Sequence, residues 1–239
     1  LKGVAAGHDA YRHLLRHVDG HIGRVLEALA RMPALARTVV VFAADHGEGL
    51  AETPRLPRYH GDVLYQQLVH VPLILRIPPS ALSPAASKPR RVEQAVGLSD
   101  VAPTVVDLVG RRKTLPRATG LSLLPLLLGA SPPPYRIERP IALYEEKQRG
   151  LVVWPWKLLV WKRKGLVELY HLERDPREQR NLVEAEGQRV RAMVRRLARH
   201  RLPDIDRRAA ARRAAAEAKA AEAKAAEAKA AEAKKTTHP

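Results

Sequence analysis

Two short runs of apolar residues without polar alternation lie in the first third of the chain. Residues 38–44 and residues 71–77 are both rich in β-branched and aliphatic side chains. Such runs predict strands that are buried on both faces, as in a parallel sheet covered by helices. A third short strand is expected over residues 93–98, after a Ser/Pro/Lys-containing loop.

Helical periodicity separates these strands. Residues 9–31 place apolar side chains on one stripe, which predicts an amphipathic helix that stops before Pro33. A second helix is expected from Ser99 or Asp100 to Gly110, with glycine at its end. Strands that alternate with helices indicate an α/β architecture.

The pattern changes after a run of three prolines at residues 132–134. Four short strands follow, which predict an antiparallel meander, and then a basic helix over residues 183–200. The last part is an Ala/Glu/Lys repeat with no apolar stripe, which predicts a solvated helical tail. The predicted strands cover residues 140–145, 151–154, 156–162 and 166–172, and the predicted domains cover residues 1–135, 136–202 and 203–239.

Composition narrows the function classes. The chain has 239 residues, of which 46% are hydrophobic, and it has no cysteine, so thiol chemistry and disulfides are excluded. The formal net charge of +17 invites a nucleic-acid interpretation, but aromatic residues make up only 4%. We therefore expect no specific nucleic-acid partner and no transmembrane segment. A non-catalytic polyanion-binding protein stays open as an alternative.

The most informative chemistry is a carboxylate beside an imidazole, directly after the first predicted strand. Asp45 and His46 follow residues 38–44, and Gly47 then allows a sharp turn. In open α/β folds ligands bind beyond the carboxyl ends of the strands. An Asp oxygen and a His nitrogen together suit a divalent cation. The alternative is a capping Asp next to a surface His.

The Asp45-His46 pair is the first of several motifs that follow one another along the chain. In this order and at this spacing, the series resembles the C-terminal part of a sulfatase of the alkaline-phosphatase superfamily, over residues 11–182. The resemblance implies an α/β fold with a mostly parallel sheet flanked by helices, a small C-terminal antiparallel subdomain and a helical low-complexity tail. The motifs are Asp45-His46-Gly47, Tyr59-His60-Gly61, Leu64-Tyr65, Val71-Pro72-Leu73, Ser99-Asp100-Val101-Ala102-Pro103-Thr104, Gly120-Leu121-Ser122, Trp156-Lys157-Leu158, Glu168-Leu169-Tyr170 and Asn181-Leu182.

The resemblance also implies roles for four residues. Asp45 and His46 would ligate a divalent metal, calcium first, with magnesium, manganese and zinc as alternatives. His60 would meet the ester as a catalytic and substrate-binding residue. Glu48 is expected either to support His46 from behind or to face solvent. The substrate would be a sulfate ester, or a phosphate ester in a related phosphoryl or phosphonate hydrolase or transferase.

The family's nucleophile is not in this sequence. That nucleophile is a formylglycine made from Cys or Ser in a Cys/Ser-x-Pro-Ser-Arg motif, and no such motif is present. We therefore expect it upstream, together with the paired aspartates that complete the metal site, and we expect the chain alone to be inactive. The resemblance implies a periplasmic or secreted protein and leaves a cytoplasmic location open. The sequence does not fix the oligomeric state.

His13, His17 and His21 form a separate series, since they recur every four residues on the first predicted helix. This spacing places the three imidazoles on one helical face, as in a metal-binding site. We interpret them as a solvated face of that helix.

Overall fold

A computed structural model describes residues 2–52, 56, 60–81, 88–110, 119–128, 139–162, 165–200 and 215, with the backbone alone for residues 2–6. The chain divides into two compact units, Leu1–Met193 and Val194–Pro239. Apart from Ala215, the predicted tail over residues 203–239 lies outside the described residues. The predicted domain boundaries stay predictions. Within the described ranges, no helix combines the length and the apolar character needed to cross a membrane.

Helix α1, Lys2–Ala30, begins earlier than the apolar stripe predicts and ends just before Pro33. A 3₁₀ turn over Pro33–Arg37 then leads into the first strand. The stripe of α1 is open to solvent: Leu14 is 61% exposed and Val25 is 58% exposed. α1 is therefore amphipathic, as predicted, but its apolar side is uncovered.

Strands β1, Val40–Ala43, and β2, Leu73–Arg76, pair with each other in the antiparallel sense. Phe42 lies opposite Ile74 in this register. The prediction of parallel pairing is therefore wrong for these two strands. Side-chain burial alternates along β2, as is typical of an antiparallel strand with one solvated face.

The strand predicted over residues 93–98 is also wrong. The backbone there forms no strand, and a 3₁₀ turn occupies Leu98–Asp100. The Asp100 carboxylate accepts the Gly97 N–H at 2.8 Å, and the Asp100 N–H donates to the Gly97 carbonyl at 2.9 Å. These local bonds compete with a strand ladder and favour the turn.

Two short helices near this turn are organised by Asp100. Helix α3 spans Val101–Leu108 and α4 spans Leu124–Leu127. Asp100, which the sequence offers as the start of the helix, is fully buried. Its carboxylate binds the Arg139 guanidinium through two contacts of 2.5 and 2.9 Å and accepts the Leu121 N–H at 2.8 Å.

The predicted meander is confirmed. Four antiparallel strands pair in sequence order, and each lies within a few residues of its predicted place. The strands are β3, Pro140–Tyr144; β4, Gln148–Val153; β5, Trp156–Trp161; and β6, Val167–His171. Helix α5, Gly187–Arg199, follows and starts four residues later than predicted.

One face of the meander carries the hydrophobic core and covers residues 63–69. This stretch includes the one-turn helix α2, Gln66–Val69. Because side chains alternate along a strand, β5 turns Lys157 and Leu159 to this face and Trp156 and Leu158 to the other. On that other face, the Arg189 guanidinium of α5 lies 4.1 Å from the centre of the Trp156 ring. The core cluster consists of Leu56, Leu64, Tyr65, Leu68, Val152, Leu159, Tyr170 and Leu172.

Candidate functional site

The loop over residues 45–48 leaves the end of β1 and runs against α2. The Gly47 N–H donates to the Leu68 carbonyl of α2 at 2.8 Å. A Cβ atom on Gly47 would lie 1.9 Å from the Gln67 carbonyl oxygen. Only glycine allows this approach, since real Cβ atoms keep a much larger separation. The backbone contact between Gly47 and α2 thus fixes the position of the adjacent Asp45-His46 pair.

His46 is held in one tautomer by its own loop. Its Nδ1 lies 2.8 Å from the Gly47 carbonyl oxygen, which can only accept, so Nδ1 carries the proton. In the neutral ring Nε2 then presents a lone pair, which is the form of imidazole that binds a metal. The His46 N–H donates to Asp45 Oδ1 at 2.9 Å, which fixes the carboxylate beside the ring.

Asp45 and His46 can face one cation together. Asp45 Oδ2 lies 3.7 Å from His46 Nε2, and the Asp45 side chain is 90% exposed. A calcium ion binds its ligands at about 2.3–2.6 Å, so one ion can reach both atoms across this separation. The donor pair therefore fits a divalent cation.

The pair supplies two ligands of a larger shell. Among the described residues, no group of three His, Cys, Asp or Glu side chains is placed to hold a metal ion. Calcium takes about six to eight oxygen ligands. Further carboxylate or imidazole ligands would have to come from outside the described residues.

Glu48 contacts His60 and not His46. Glu48 Oε2 accepts a hydrogen bond from His60 Nδ1 at 2.9 Å, and the two side chains are 28% and 56% exposed. The structure thus differs from the expectation that Glu48 supports His46. The reason is local, because the Gly47 carbonyl already occupies His46 Nδ1.

His60 lies close to the Asp-His pair, as the site prediction requires. The rings of His46 and His60 stack with their centroids 4.7 Å apart and their planes inclined by 26°. All four predicted site residues are therefore gathered at the end of β1. Their roles as metal ligands, ester-binding residue and support stay predictions.

The histidine series on α1 gives no comparable cluster. His17 Nε2 lies 3.1 Å from His21 Nε2, but the Arg24 guanidinium donates to His21 Nδ1 at 2.6 Å. A cation next to the ring opposes a second cation there. All three imidazoles are exposed, which fits the interpretation of a solvated face.

Sequence reasoning missed a buried ion pair under α2. Lys157 Nζ lies 2.8 Å from Glu178 Oε1, and both side chains are at most 1% exposed. Burial lowers the pKa of Lys157, and it raises the pKa of Glu178, since each charged form loses its hydration. The only signal in the sequence is a lysine inside an otherwise apolar strand, which the spacing alone does not pair with Glu178.

Comparison with known proteins shows which class of protein this part of the chain is similar to. The family model described as Sulfatase matches residues 5–111, a range that contains most of α1 and all of β1, the 45–48 loop, α2, β2 and α3. This part of the chain is therefore similar to sulfatases, and solved sulfatases share its fold.

Particular relatives are similar over parts of their length. Arylsulfatase K of Gallus gallus is 34% identical over 118 residues, which are 49% of this chain and 20% of that protein. A solved 2-O GAG sulfatase is 26% identical with a TM-score of 0.66, over 80% of this chain and 41% of that one. The phosphonate monoester hydrolase of Silicibacter pomeroyi is also 26% identical, with a TM-score of 0.61 over 79% and 39%. The chain thus spans between a fifth and two fifths of these proteins.

Proposed function

We propose that this chain supplies part of the active site of a sulfatase, in which a divalent cation assists hydrolysis of a sulfate ester. The observation that carries the proposal is the separation of 3.7 Å between Asp45 Oδ2 and His46 Nε2 at the exposed end of β1. The stacked ring of His60 provides a third functional group at the same place.

In this proposal Asp45 and His46 hold calcium, with magnesium, manganese and zinc as alternatives. The tautomer of His46 suits this role, because the protonated Nδ1 is bound to the Gly47 carbonyl and Nε2 faces outward. When bound, the cation would act as a Lewis acid that stabilises charge on the transferring group. The formylglycine nucleophile and the remaining ligands would come from sequence upstream.

His60 is assigned to the ester, with Glu48 as its partner. The hydrogen bond from His60 Nδ1 to Glu48 Oε2 orients the ring, so Nε2 is the nitrogen that would exchange a proton with the leaving oxygen. The carboxylate of Glu48 would stabilise the imidazolium form during that exchange. The net charge of +17 would attract an anionic ester.

The sulfate ester is favoured over a phosphorus ester. The phosphonate monoester hydrolase has a TM-score close to that of the sulfatase, so fold alone does not separate the two chemistries. The family model and the arylsulfatase relatives supply the preference.

The proposal can be tested on the chain itself with Mn²⁺, which broadens nearby resonances even when it binds weakly. We expect Mn²⁺ to broaden the backbone amide signals of residues 45–48 first. Asp45→Asn should abolish this selectivity. Asp9→Asn is the matched control, because Asp9 is also an exposed aspartate, paired with Arg12 on α1. Broadening that ignores Asp45→Asn and follows Asp9→Asn would overturn the proposal.

A further inference from the structure

A buried ion pair between β5 and the turn after β6 anchors the first residue of α2. Lys157 and Glu178 pair at 2.8 Å in a fully buried position. Glu178 Oε2 also accepts the backbone N–H of Gln66 at 2.6 Å, and Lys157 Nζ donates to Gln66 Oε1 at 3.1 Å. The pair therefore holds both the backbone and the side chain of Gln66.

Helix α2 in turn holds the 45–48 loop. The Leu68 carbonyl accepts the Gly47 N–H at 2.8 Å, and the Gln67 carbonyl occupies the space where a Cβ of Gly47 would lie. Because α2 has only four residues, a displacement of Gln66 displaces both carbonyls. A short chain of contacts thus connects the meander to the loop that carries Asp45 and His46.

The anchor is built from residues that are costly to place. Burial disfavours the charged forms of Lys157 and Glu178, and Glu178 has a backbone φ of +55°, a left-handed value that is uncommon for a residue other than glycine. Replacing a buried ion pair by apolar side chains is often neutral or stabilising. A contribution to stability is therefore a weak explanation for this ion pair. The position that it imposes on Gln66 is a more specific explanation.

We propose that Lys157 and Glu178 are positioning residues, which keep the 45–48 loop in its metal-binding geometry by anchoring α2. They contact neither the proposed cation nor the ester. The metal-binding part of this inference rests on the proposed function. The mechanical part, from Glu178 through Gln66 and Leu68 to Gly47, stands on contacts alone.

The most direct test removes the backbone donor of Gln66. This residue is the first of α2, where proline fits the helix and lacks the N–H that Glu178 accepts. Tyr65 has an extended backbone with φ −69° and ψ 158°, which a following proline permits. Gln66→Ala is the matched control, since it removes the side-chain amide and keeps the N–H.

A second set of variants acts on the ion pair. Lys157→Met/Glu178→Met removes both charges and the acceptor for Gln66. Lys157→Met/Glu178→Gln removes both charges but keeps an acceptor oxygen. Asp100→Asn disturbs a different buried ion pair, with Arg139, and controls for a general loss of stability.

Amide hydrogen exchange of Gly47, compared with the amides of β5, separates positioning from stability. We expect exchange of Gly47 to rise about tenfold, with β5 unchanged, in Gln66→Pro and in Lys157→Met/Glu178→Met, since one net hydrogen bond is lost. Gln66→Ala and Lys157→Met/Glu178→Gln should stay near wild type. Asp100→Asn should not affect Gly47 selectively. The inference is overturned if Gly47 keeps its wild-type exchange in Gln66→Pro, or changes only in step with β5.

Titration with Mn²⁺ alone then measures the functional consequence. Gln66→Pro and Lys157→Met/Glu178→Met should need more Mn²⁺ to broaden the signals of residues 45–48. Gln66→Ala and Lys157→Met/Glu178→Gln, which keep the hydrogen bond to the Gln66 N–H, should respond to Mn²⁺ as the wild type does. If Mn²⁺ fails to broaden this loop in the wild-type chain, the proposed metal role is refuted. Hydrogen exchange still decides the positioning role in that case.

Discussion

The ring of His60 stacks on the ring of His46, with the centroids 4.7 Å apart. The two imidazoles are nevertheless held by different partners. His46 Nδ1 is bound to the Gly47 carbonyl, whereas His60 Nδ1 is bound to the Glu48 carboxylate. In the proposed function the two neighbouring rings have different tasks, metal binding for His46 and proton exchange for His60.

This division predicts a contrast between Asp45→Ala and His60→Ala in an enzyme completed by joining the chain to the N-terminal half of a relative. Asp45→Ala should weaken metal affinity and turnover together, with partial rescue at high metal concentration. His60→Ala should lower turnover by about a hundredfold to ten-thousandfold and leave metal affinity nearly intact, since a general acid is lost. Metal titrations and steady-state rates measure both effects.

His13→Ala is the control for this pair, because His13 is an exposed imidazole on α1. It should change neither quantity. If His60→Ala reduces metal affinity as severely as Asp45→Ala does, His60 is a metal ligand. The chain would then resemble the two-metal, phosphatase-like members of the superfamily.

The ion pair of Lys157 and Glu178 predicts a pH dependence of stability. The lowered pKa of Lys157 means that the unfolded state binds more protons below pH 10.5, so this residue makes stability rise as pH increases towards that value. The raised pKa of Glu178 has the opposite sign and makes stability rise as pH falls towards 4.5. Urea titrations across pH should show both slopes in the difference between the wild type and Lys157→Met/Glu178→Gln. A difference that is flat with pH would contradict this prediction.

Asp100 should be one of the most sensitive positions for folding. Asp100→Asn removes the negative charge from the ion pair with Arg139, whose side chain is only 12% exposed. Breaking a buried pair in this way costs about 3–5 kcal/mol of unfolding free energy. Arg91→Gln removes one partner of the exposed pair with Glu93 and should cost less than about 1 kcal/mol. Equal losses for the two variants in urea unfolding would refute this prediction.

The uncovered apolar side chains of α1 and of the two-stranded sheet should bind a hydrophobic dye. Phe42 and Ile74 face each other across the β1–β2 ladder and are 37% and 61% exposed. Phe42→Thr/Ile74→Thr should reduce dye fluorescence and aggregation with little change in melting temperature, because little buried area is lost. Leu158→Ala should instead lower the melting temperature, since Leu158 is fully buried. No dye binding by the wild-type chain would mean that these faces are covered in solution.

The meander could be predicted from sequence because each strand is a short run with turn residues at both ends, and neighbours along the chain are neighbours in the sheet. The pairing of β1 with β2 could not, because 29 residues separate Ala43 from Leu73 and the apolar pattern does not encode strand direction. The 3₁₀ turn at Asp100 was missed for a related reason. Besides its local hydrogen bonds, it is stabilised by Arg139, which is 39 residues away.

The residues of the candidate site could be predicted from the sequence, but their hydrogen-bond and ion-pair partners could not. Asp45 and His46 follow a strand directly, and the end of a strand is a position that sequence can locate. The partner of Glu48 is twelve residues away and depends on how the chain returns past Gly61, which has a φ of +94°. Lys157 and Glu178 are brought together only when β5 and the turn after β6 are folded.

The contact between Gly47 and the Gln67 carbonyl has a consequence for any library made at this position. Every other amino acid carries a Cβ atom that would overlap that oxygen, so alanine should fail nearly as badly as larger residues. A selection for the native 45–48 loop from all twenty amino acids at position 47 should thus return glycine alone. Any residue with a Cβ atom should therefore be rejected at position 47, whatever the size of the rest of its side chain.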